Sequence, residues 1–403
     1  MPGAEGRSAL VVGIDAGGTR TRAVLAAAAD GRVVGEGAGG PGNALTVPPD
    51  RLIANLAEAV GRAVPEGVRG RVVAVAGGFA GANGASEDEP GRLNALTALR
   101  AALQQLGIRT DALGVSSDIE AAFASAPGTP ADGLALVAGT GAVAMRIADR
   151  RATTTVDGDG WLLGDDGSGF WIGREAVRAA LRMADGRGAP TVLTETVGRA
   201  LGLPEEVLPG ADPRHDESHA GSGAGETSDR GPAGSRASDV SDGVSAASEA
   251  GDPSDRGPAA SRVSGPAYGV PAASGVSDSS ADGPVASGWS RERREDYRRH
   301  LLPVVMAEVP IRLARFAPLV AEAAREKDAV AEGILERAAD HLASAVRALE
   351  PRPGERVVAT GGLLGPDGPL TVPLTARLQP LGLTLDWVAD GCRGAVSLAR
   401  LLV

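Results

Sequence analysis

The stretch from residue 11 to residue 25, VVGIDAGGTRTRAVL, constrains the fold of this chain more than any other. Its two apolar runs are typical of β-strands, and the small residues between them predict a tight hairpin. Asp15 ends the first run, and Gly17, Gly18 and Thr19 follow it. Glycines let backbone N–H groups approach an anion closely, hydroxyls add donors, and a strand-end aspartate suits Mg²⁺. The stretch therefore predicts a hairpin that holds phosphate groups and a magnesium ion.

Other common nucleotide motifs are excluded or less favoured. The chain has a single lysine, Lys327, in a helical run, so it has neither a Walker A loop nor a protein-kinase strand lysine. A dinucleotide-type GxGxxA pattern occurs at 139–144, with Asp157 and Asp159 at a suitable distance beyond it. The residues that follow, VAMRIAD, alternate as in a strand and not as in a helix, so dinucleotide binding is the minor alternative.

Composition limits the class of protein and its partners. The chain has 403 residues, 43% of them hydrophobic, which is enough for two domains of ordinary size. A net charge of −11 argues against nucleic acid as a partner. The single cysteine, Cys392, excludes a disulfide framework and a multi-cysteine metal site within one chain. With no signal peptide and no apolar run near the roughly 18 residues of a membrane span, we expect a cytoplasmic protein without a membrane partner.

The order of the chain predicts an α/β fold with two related halves. Strand-like runs alternate with helical ones, and residues 133–148 repeat the opening pattern of strand, glycine turn and strand. Residues 209–290 are rich in Ser, Gly, Ala, Pro and Asp, and we predict a disordered insertion there. Two halves that each open with a phosphate-binding hairpin imply two lobes facing a cleft.

Five motifs in order carry a resemblance to a known family. They are IDAGGTRT, SSDIEAA, VAGTGAVA, GWLLGDDGSGFWIG and VATGG. In this order and spacing they resemble the sugar-kinase, Hsp70 and actin superfamily, and within it the N-acetylglucosamine kinase and BadF/BadG ATPase family. The resemblance covers about 8–205 and 291–403.

The resemblance implies two actin-like, ribonuclease H-like lobes around a nucleotide cleft. The N-terminal lobe would span 8–131, with the helix at 392–403 packing back on it. The C-terminal lobe would span 132–391, interrupted by the insertion at 209–290. ATP would lie between the lobes, with the sugar deeper in the cleft, and relatives of this kind suggest a homodimer.

The nucleotide-binding residues follow from the two hairpins and the VATGG motif. Asp15 would orient Mg²⁺, directly or through water, and the first turn would hold the transferring oxygens of ATP. The second turn would grip the other phosphates, and the glycine pair at 361–362 would let adenosine approach closely. The predicted ATP-binding residues are Gly17, Gly18, Thr19, Thr140, Gly141, Gly361 and Gly362.

Asp118 lies where a strand passes into a helix, so two roles are open. It could cap the helix, or it could act as the general base that accepts the proton of an attacking hydroxyl. The resemblance places the catalytic aspartate of the family at this position. We therefore predict that Asp118 is catalytic and contacts the sugar.

The remaining sugar contacts come from the resemblance, which carries them onto Asn43, the loop Gly158–Asp159–Gly160 and Asp165. The chain departs from relatives at Asp159, where tryptophan is usual, and this leaves the exact sugar open. We interpret Trp161 as a core residue, with a sugar-facing platform as the alternative. We interpret Asp166 as the cap of the helix that begins near residue 168.

The resulting hypothesis is an ATP-dependent amino-sugar kinase acting on the 6-hydroxyl of N-acetylglucosamine. The alternatives are a kinase of glucosamine or another hexose, and an ATPase or ATP/sugar-binding regulator without kinase activity. Kinases and repressors of the ROK type and activators of acyl-CoA dehydratases both need cysteines for a metal centre. Cys392 alone supplies neither.

Overall fold

The computed structural model describes residues 8–82, 88–210 and 288–403, all of which belong to one compact unit. Two separate sheets lie within that unit. The boundaries of two lobes at 8–131 and 132–391 stay a prediction.

Most of the predicted disordered insertion at 209–290 lies outside the described residues. Its C-terminal boundary is wrong by two residues, because Trp289 is buried and donates from Nε1 to the carbonyl oxygen of Val207 over 3.0 Å. Ser290 then caps the next helix through its side chain. A lone tryptophan in a polar, serine-rich stretch gives no periodic signal of burial.

Each of the two sheets has five strands, in matching order. The strands are β1 (Leu10–Ala16), β2 (Thr21–Ala27), β3 (Val33–Gly39), β4 (Val72–Phe79), β5 (Ala112–Ser117), β6 (Gly133–Ala138), β7 (Ala142–Ala148), β8 (Arg151–Asp157), β9 (Arg356–Thr360) and β10 (Thr384–Trp387). When both sheets are read from the edge strand of the hairpin, the first has the order β3-β2-β1-β4-β5 and the second has the order β8-β7-β6-β9-β10. In both sheets the first strand of the hairpin, β1 or β6, pairs antiparallel with the second strand of the hairpin on one side. On its other side it pairs parallel with β4 or β9. This arrangement confirms the predicted α/β class and the repeated hairpin.

The helices cover both sheets. They are α1 (Pro49–Ala63), α2 (Pro90–Gln105), α3 (Asp118–Ala124), α4 (Gly169–Ala184), α5 (Leu193–Ala200), α6 (Arg291–Ala307), α7 (Ala317–Arg325), α8 (Ala329–Ala348), α9 (Thr371–Leu378) and α10 (Cys392–Arg400). The apolar face predicted for α1 is confirmed, since Leu52, Leu56 and Val60 are all buried in the first core. In the described ranges, no helix is both long and apolar enough to span a membrane.

Helices α3 and α10 lie between the two sheets. Helix α10 packs against the first sheet, where Val396 joins a cluster with Val11 and Ala74. Helix α3 packs against the second sheet, where Phe123 joins a cluster with Ile147. The two helices also contact each other, and the start of α10 lies against Ser125, which follows α3.

Strands β8 and β10 and helix α9 were not expected from the sequence. Strand β8 is mostly exposed and reads RATTTVD, so the alternation of apolar and polar residues that marks a half-buried strand is weak. Strand β10 has only four residues, none of them fully buried. Both are edge strands, which need little apolar surface.

The contact between α10 and β1 leads to a stability prediction. A Cβ atom built on Gly13 would lie 2.5 Å from the backbone nitrogen of Val396, so Gly13→Ala forces the helix off the strand. We expect a loss of about 1–3 kcal/mol in the free energy of unfolding, measured by urea denaturation. Gly67→Ala is the control, since its Cβ meets open space. Equal unfolding midpoints for the two variants would contradict this account of the packing.

Candidate active site

A cavity of about 440 Å³ lies between the two sheets and collects most of the predicted catalytic and phosphate-binding residues. Of the predicted residues it is lined by Asp15, Gly17, Asp118, Thr140, Gly141, Gly158 and Asp165. Three lining residues that the sequence reasoning missed are Arg22, Asp390 and Gly391. We call this space the central cavity.

The first hairpin brings the end of β1 to the central cavity. The turn is closed by a hydrogen bond from the backbone N–H of Gly17 to the carbonyl oxygen of Arg20, over 3.0 Å. Gly18 and Thr19 are exposed at the tip of this turn and are not among the lining residues. Gly17 is therefore the glycine of this turn that lines the cavity, and the phosphate-binding roles of Gly17, Gly18 and Thr19 stay predictions.

Asp118 is the first residue of α3, and the cap of that helix is Ser117. The Ser117 hydroxyl accepts from the backbone N–H of Glu120, and the Glu120 carboxylate accepts from the N–H of Ser117. This capping box makes the cap interpretation of Asp118 wrong, since a different side chain meets the helix's need for acceptors. The carboxylate of Asp118 accepts from the N–H of Ile119 and lines the central cavity.

The electrostatics of Asp118 suit a general base. Burial raises its pKa to about 6, and the nearby negative charge of Asp15 adds to the rise. Burial disfavours the ionised form, and a second carboxylate disfavours it further. A carboxylate with a pKa close to neutrality is still ionised at pH 7 and yet binds a proton far better than an ordinary aspartate.

Asp15 lies beside Asp390 and Cys392, and the first two of these residues line the central cavity. The candidate ligand atoms of these three residues lie within 4.8 Å of one another. Burial raises the pKa of Asp15, and the Arg22 guanidinium opposes that rise. Arg22 also forms an ion pair with Asp390, which lies just before α10.

The donor set fits magnesium through its oxygens. Mg²⁺ prefers hard oxygen ligands, and it is usually held by one or two carboxylates with water and substrate phosphates. Asp15 and Asp390 supply such carboxylates. The Cys392 thiol does not fit, because burial raises its pKa above the usual range and keeps it protonated. Sequence reasoning found Asp15 from its hairpin, whereas Asp390 follows no glycine turn and gave no signal.

The second hairpin turn is held in place by Asp165. Its Oδ1 accepts from the backbone N–H of Ala142 over 3.1 Å, and a Cβ on Gly141 would lie only 2.8 Å from the same oxygen. Burial raises the pKa of Asp165, and three neighbouring aspartates add to the rise. The turn thus depends on Asp165, which also lines the cavity. A sugar contact by Asp165 remains a prediction.

The loop from 157 to 166 is organised by Asp157, which sequence reasoning considered only as part of a dinucleotide motif. Its carboxylate accepts from the N–H groups of Gly158, Asp165 and Asp166 over 2.8, 2.6 and 2.9 Å. Asp157 has a φ of +64°, a left-handed conformation that aspartate adopts more readily than most residues. One side chain therefore closes both ends of the loop.

Two interpretations of this region are wrong. Trp161 is 40% exposed, with its ring edge against Phe170 at 6.0 Å between ring centres, and is not a core residue. The cap of α4 is Ser168, whose hydroxyl accepts from the N–H of Trp171 over 3.1 Å, and not Asp166. Asp166 is exposed instead. Serine is as good a cap as aspartate, so sequence alone does not rank two candidates two residues apart.

Three predicted sugar-binding residues do not line the central cavity. Asn43 is half-buried, and its Oδ1 accepts from the N–H groups of Leu45 and Thr46 over 2.9 and 3.0 Å. Asp159 is exposed, and Gly160 is half-buried in the same loop. Their sugar-binding roles stay predictions.

A second cavity of about 490 Å³ shares Gly139 and Thr140 with the central cavity, and we call it the side cavity. Its wall is largely apolar and includes Pro318 and Leu363. Its lining residues are Gly139, Thr140, Gly169, Ala314, Ala317, Pro318, Ala321, Arg325, Gly362, Leu363 and Pro369.

The two glycines of the VATGG motif differ in what they permit. A Cβ on Gly361 would lie 2.2 Å from the carbonyl oxygen of Ala138, and the φ of Gly361 is +105°. Gly361 is therefore required by the protein's own backbone. A Cβ on Gly362 meets nothing within 4 Å, and Gly362 lines the side cavity. Only Gly362 leaves space that a ligand could use.

Comparisons with known proteins place this arrangement in a family. A protein from Chromobacterium violaceum, provisionally described as an N-acetylglucosamine kinase, superimposes with a TM-score of 0.54 at 18% identity, covering 98% of this chain and 100% of that one. A similarly described protein from Porphyromonas gingivalis gives 0.56 at 16% identity, covering 98% and 99%. At these identities the two structures show the actin-like sugar-kinase fold alone. The sequence profile of the BadF/BadG/BcrA/BcrD ATPase family matches residues 12–370, and the chain belongs to that family.

Proposed function

We propose that this protein is an ATP-dependent amino-sugar kinase that phosphorylates the 6-hydroxyl of N-acetylglucosamine. The observation that carries the proposal is the central cavity, where Asp118 lies with the glycine turns of both hairpins. Phosphoryl transfer needs in-line positioning and neutralised charge more than covalent help from the protein. The family and the fold of the provisionally described N-acetylglucosamine kinases support this assignment.

Asp118 is the proposed general base. Its carboxylate takes the proton of the sugar hydroxyl as that oxygen forms a bond to the γ-phosphorus of ATP. The bond between the γ-phosphorus and the bridging oxygen breaks, and ADP leaves with the electron pair. Asp15 and Asp390 would hold Mg²⁺, which when bound supplies positive charge to the phosphate oxygens.

The nucleotide would use both cavities. We assign adenosine to the side cavity, whose apolar wall suits a base, and the phosphates to the two glycine turns. Thr140 lines both cavities, so it lies where the adenosine and phosphate parts would meet. Backbone N–H groups of Gly18, Thr19 and Gly141 would then face phosphate oxygens, as in other anion-binding turns, because the N–H of Gly17 already donates to Arg20.

We assign the sugar to Asp118, Asp165 and Gly158, which line the central cavity, with Asn43, Asp159 and Gly160 completing the set. Asp159 replaces an apolar wall with a charge, and this favours a polar or cationic substituent at the second carbon. Glucosamine is therefore the principal alternative substrate. A homodimer remains part of the proposal.

The test of the proposal is ATP turnover by the purified protein over a panel of hexoses and amino sugars. A kinase releases ADP only with an acceptor sugar, in a one-to-one ratio with sugar phosphate. Turnover that no sugar stimulates would overturn the kinase assignment and support a non-kinase ATPase of the same family.

Replacing the proposed base gives a prediction for both rate and stability. Asp118→Asn should reduce sugar-stimulated turnover by about 10²-fold or more, the usual scale for losing a general base. In the wild type, kcat/KM should fall below about pH 6, where Asp118 is protonated, and the residual activity of the variant should lack that limb. The exposed Asp111→Asn is the control and should keep wild-type rates.

The same variant has a stability readout with a definite sign. Because burial raises the pKa of Asp118, the folded protein binds the proton more tightly than the unfolded chain does. Wild-type stability therefore decreases as pH rises towards 6 and stays lower above it. Asp118→Asn should be at least as stable as the wild type at pH 8. A less stable variant would mean that the lost activity reflects damage to the fold.

The glycine pair gives a matched prediction for nucleotide binding. Gly361→Ala should destabilise the fold by about 1–3 kcal/mol, because its positive φ and its contact with Ala138 do not accept a side chain. Gly362→Ala should leave the unfolding temperature unchanged and weaken ADP binding about tenfold, since the methyl group enters the side cavity. Calorimetric titration with ADP–Mg²⁺ measures this. Unchanged affinity for Gly362→Ala would exclude the side cavity as the adenosine site.

Substrate preference tests Asp159. Asp159→Trp should shift kcat/KM towards N-acetylglucosamine relative to glucosamine by about tenfold, because a charge-assisted hydrogen bond to the amine is worth roughly 1.5–3 kcal/mol. Asp159→Asn is the control, since it removes the charge without adding an apolar wall. It should lower kcat/KM for glucosamine and leave kcat/KM for N-acetylglucosamine unchanged. An unchanged ratio in both variants would place Asp159 outside the sugar site and leave specificity to Asn43 and Asp165.

A further inference from the structure

A third cavity, of about 300 Å³, lies between the edge of the first sheet and the hairpin turn that joins β7 to β8. We call it the arginine cavity. None of its lining residues lines the central cavity or the side cavity. It is lined by Ala76, Arg92, Leu113, Gly114, Val115, Ser116, Asp149, Arg150, Arg151, Leu398, Leu401 and Leu402.

Three guanidinium groups meet at this cavity. Arg92 donates to the carbonyl oxygen of Val115 over 2.9 Å, and Arg151 approaches the same oxygen at 3.5 Å. The Nε of Arg150 is buried and has no hydrogen-bond partner among the described residues. Within those residues, neither Arg92 nor Arg150 forms an ion pair. The guanidinium of Arg151 lies 3.6 Å from the carboxylate of Glu120.

The charge of the lining is unbalanced. Three arginines and the exposed Asp149 line the cavity, and Arg151 also pairs with Glu120, which leaves one positive charge unbalanced. A guanidinium group without a carboxylate partner can form charge-assisted hydrogen bonds to an anion, and within the described residues Arg92 and Arg150 have no such partner. The opposite wall is apolar, formed by Leu113, Leu398 and Leu402. The cavity thus offers cationic groups on one side and hydrocarbon on the other.

We propose that the arginine cavity binds a small organic phosphate monoester. Its doubly charged head would lie among Arg92, Arg150 and Arg151, and its body against the leucines. A phosphate monoester carries the charge opposite to the unbalanced arginine, and its three terminal oxygens can accept from several guanidinium forks at once. A monocarboxylate offers half the charge and fewer acceptors.

The position of the cavity connects it to Asp118. Ser116 lines the arginine cavity at the end of β5, and Asp118 lines the central cavity two residues later. Arg151 also contacts Glu120, whose carboxylate fixes the start of α3 through Ser117. An anion that draws Arg151 away would remove a cation from that capping box. The site is therefore regulatory, and this consequence, unlike binding itself, rests on the proposed function.

The binding experiment uses phenyl phosphate as the probe, titrated calorimetrically into the full-length protein. The titration is run with and without saturating ADP–Mg²⁺. The bound ADP prevents phenyl phosphate from binding at the proposed nucleotide site. The key variant is Arg150→Asn, since asparagine tolerates the left-handed backbone at this position, where φ is +61°. We expect phenyl phosphate affinity to fall at least tenfold in this variant. Arg291→Gln, which alters an arginine side chain that is 86% exposed, should bind as the wild type does.

Arg92→Gln should also weaken phenyl phosphate binding at least tenfold. Thermal unfolding checks that both variants fold. Equal affinity in the wild type, Arg150→Asn and Arg92→Gln would overturn the proposal, as would no binding to the wild type. Benzoate binding as tightly as phenyl phosphate would overturn the phosphate assignment. If ADP does not bind at all, the proposed function fails, while the comparison of variants without nucleotide still decides this site.

For regulation, saturating phenyl phosphate should lower sugar-stimulated turnover of the wild type severalfold and leave Arg150→Asn unaffected. The residue lies outside the proposed catalytic machinery, so its basal rate should equal that of the wild type. An equal effect of phenyl phosphate on both proteins would show that it acts at the nucleotide site, and would contradict regulation through the arginine cavity.

Discussion

The close packing of α10 against β1 and α3 is the contact on which the rest of the molecule depends. Gly13 and Gly394 have no side chains at this seam, and a Cβ at either would lie within 2.5 Å of a backbone atom of the facing element. Backbone can approach backbone only because both positions are glycine. This seam holds Asp390, two residues before α10, near Asp15 at the end of β1, and it links the two sheets through their shared helices.

Charge is concentrated where these elements meet. Asp15, Asp118 and Asp390 surround one cavity, with Arg22 as the guanidinium that lines it. Burial raises the pKa values of Asp15 and Asp118, and the charge of a neighbouring carboxylate adds to each rise. Such a cluster costs stability when empty and is relieved by a divalent cation. The same arrangement that weakens the fold supplies the carboxylates on which the proposed cation site and the proposed base depend.

The second hairpin shows a different dependence. Its turn is held by Asp165, and the carboxylate of Asp157 accepts from the backbone N–H of Asp165 over 2.6 Å. The loop that follows β8 and the glycine turn are therefore one mechanical unit.

Local pattern was sufficient for the parts of the fold with strong periodicity. The β1–β2 hairpin, the apolar face of α1 and the repeat of the hairpin at residue 133 are all present as the sequence predicts. The position of Asp15 at a strand end followed from the same pattern. Strand β8 was not predictable in this way, because an edge strand needs few buried residues.

What only the tertiary structure decided concerns residues far apart in the chain. Asp390 lies 375 positions after Asp15, and no local pattern reports that packing of α10 brings them together. Ser117 rather than Asp118 caps α3, since both residues suit a cap by type and only backbone geometry selects one. Gly361 and Gly362 are identical in sequence terms, yet one is confined by the carbonyl oxygen of Ala138 and the other faces a cavity. Periodicity records which face of an element is buried, whereas the neighbour on that face depends on how the elements pack.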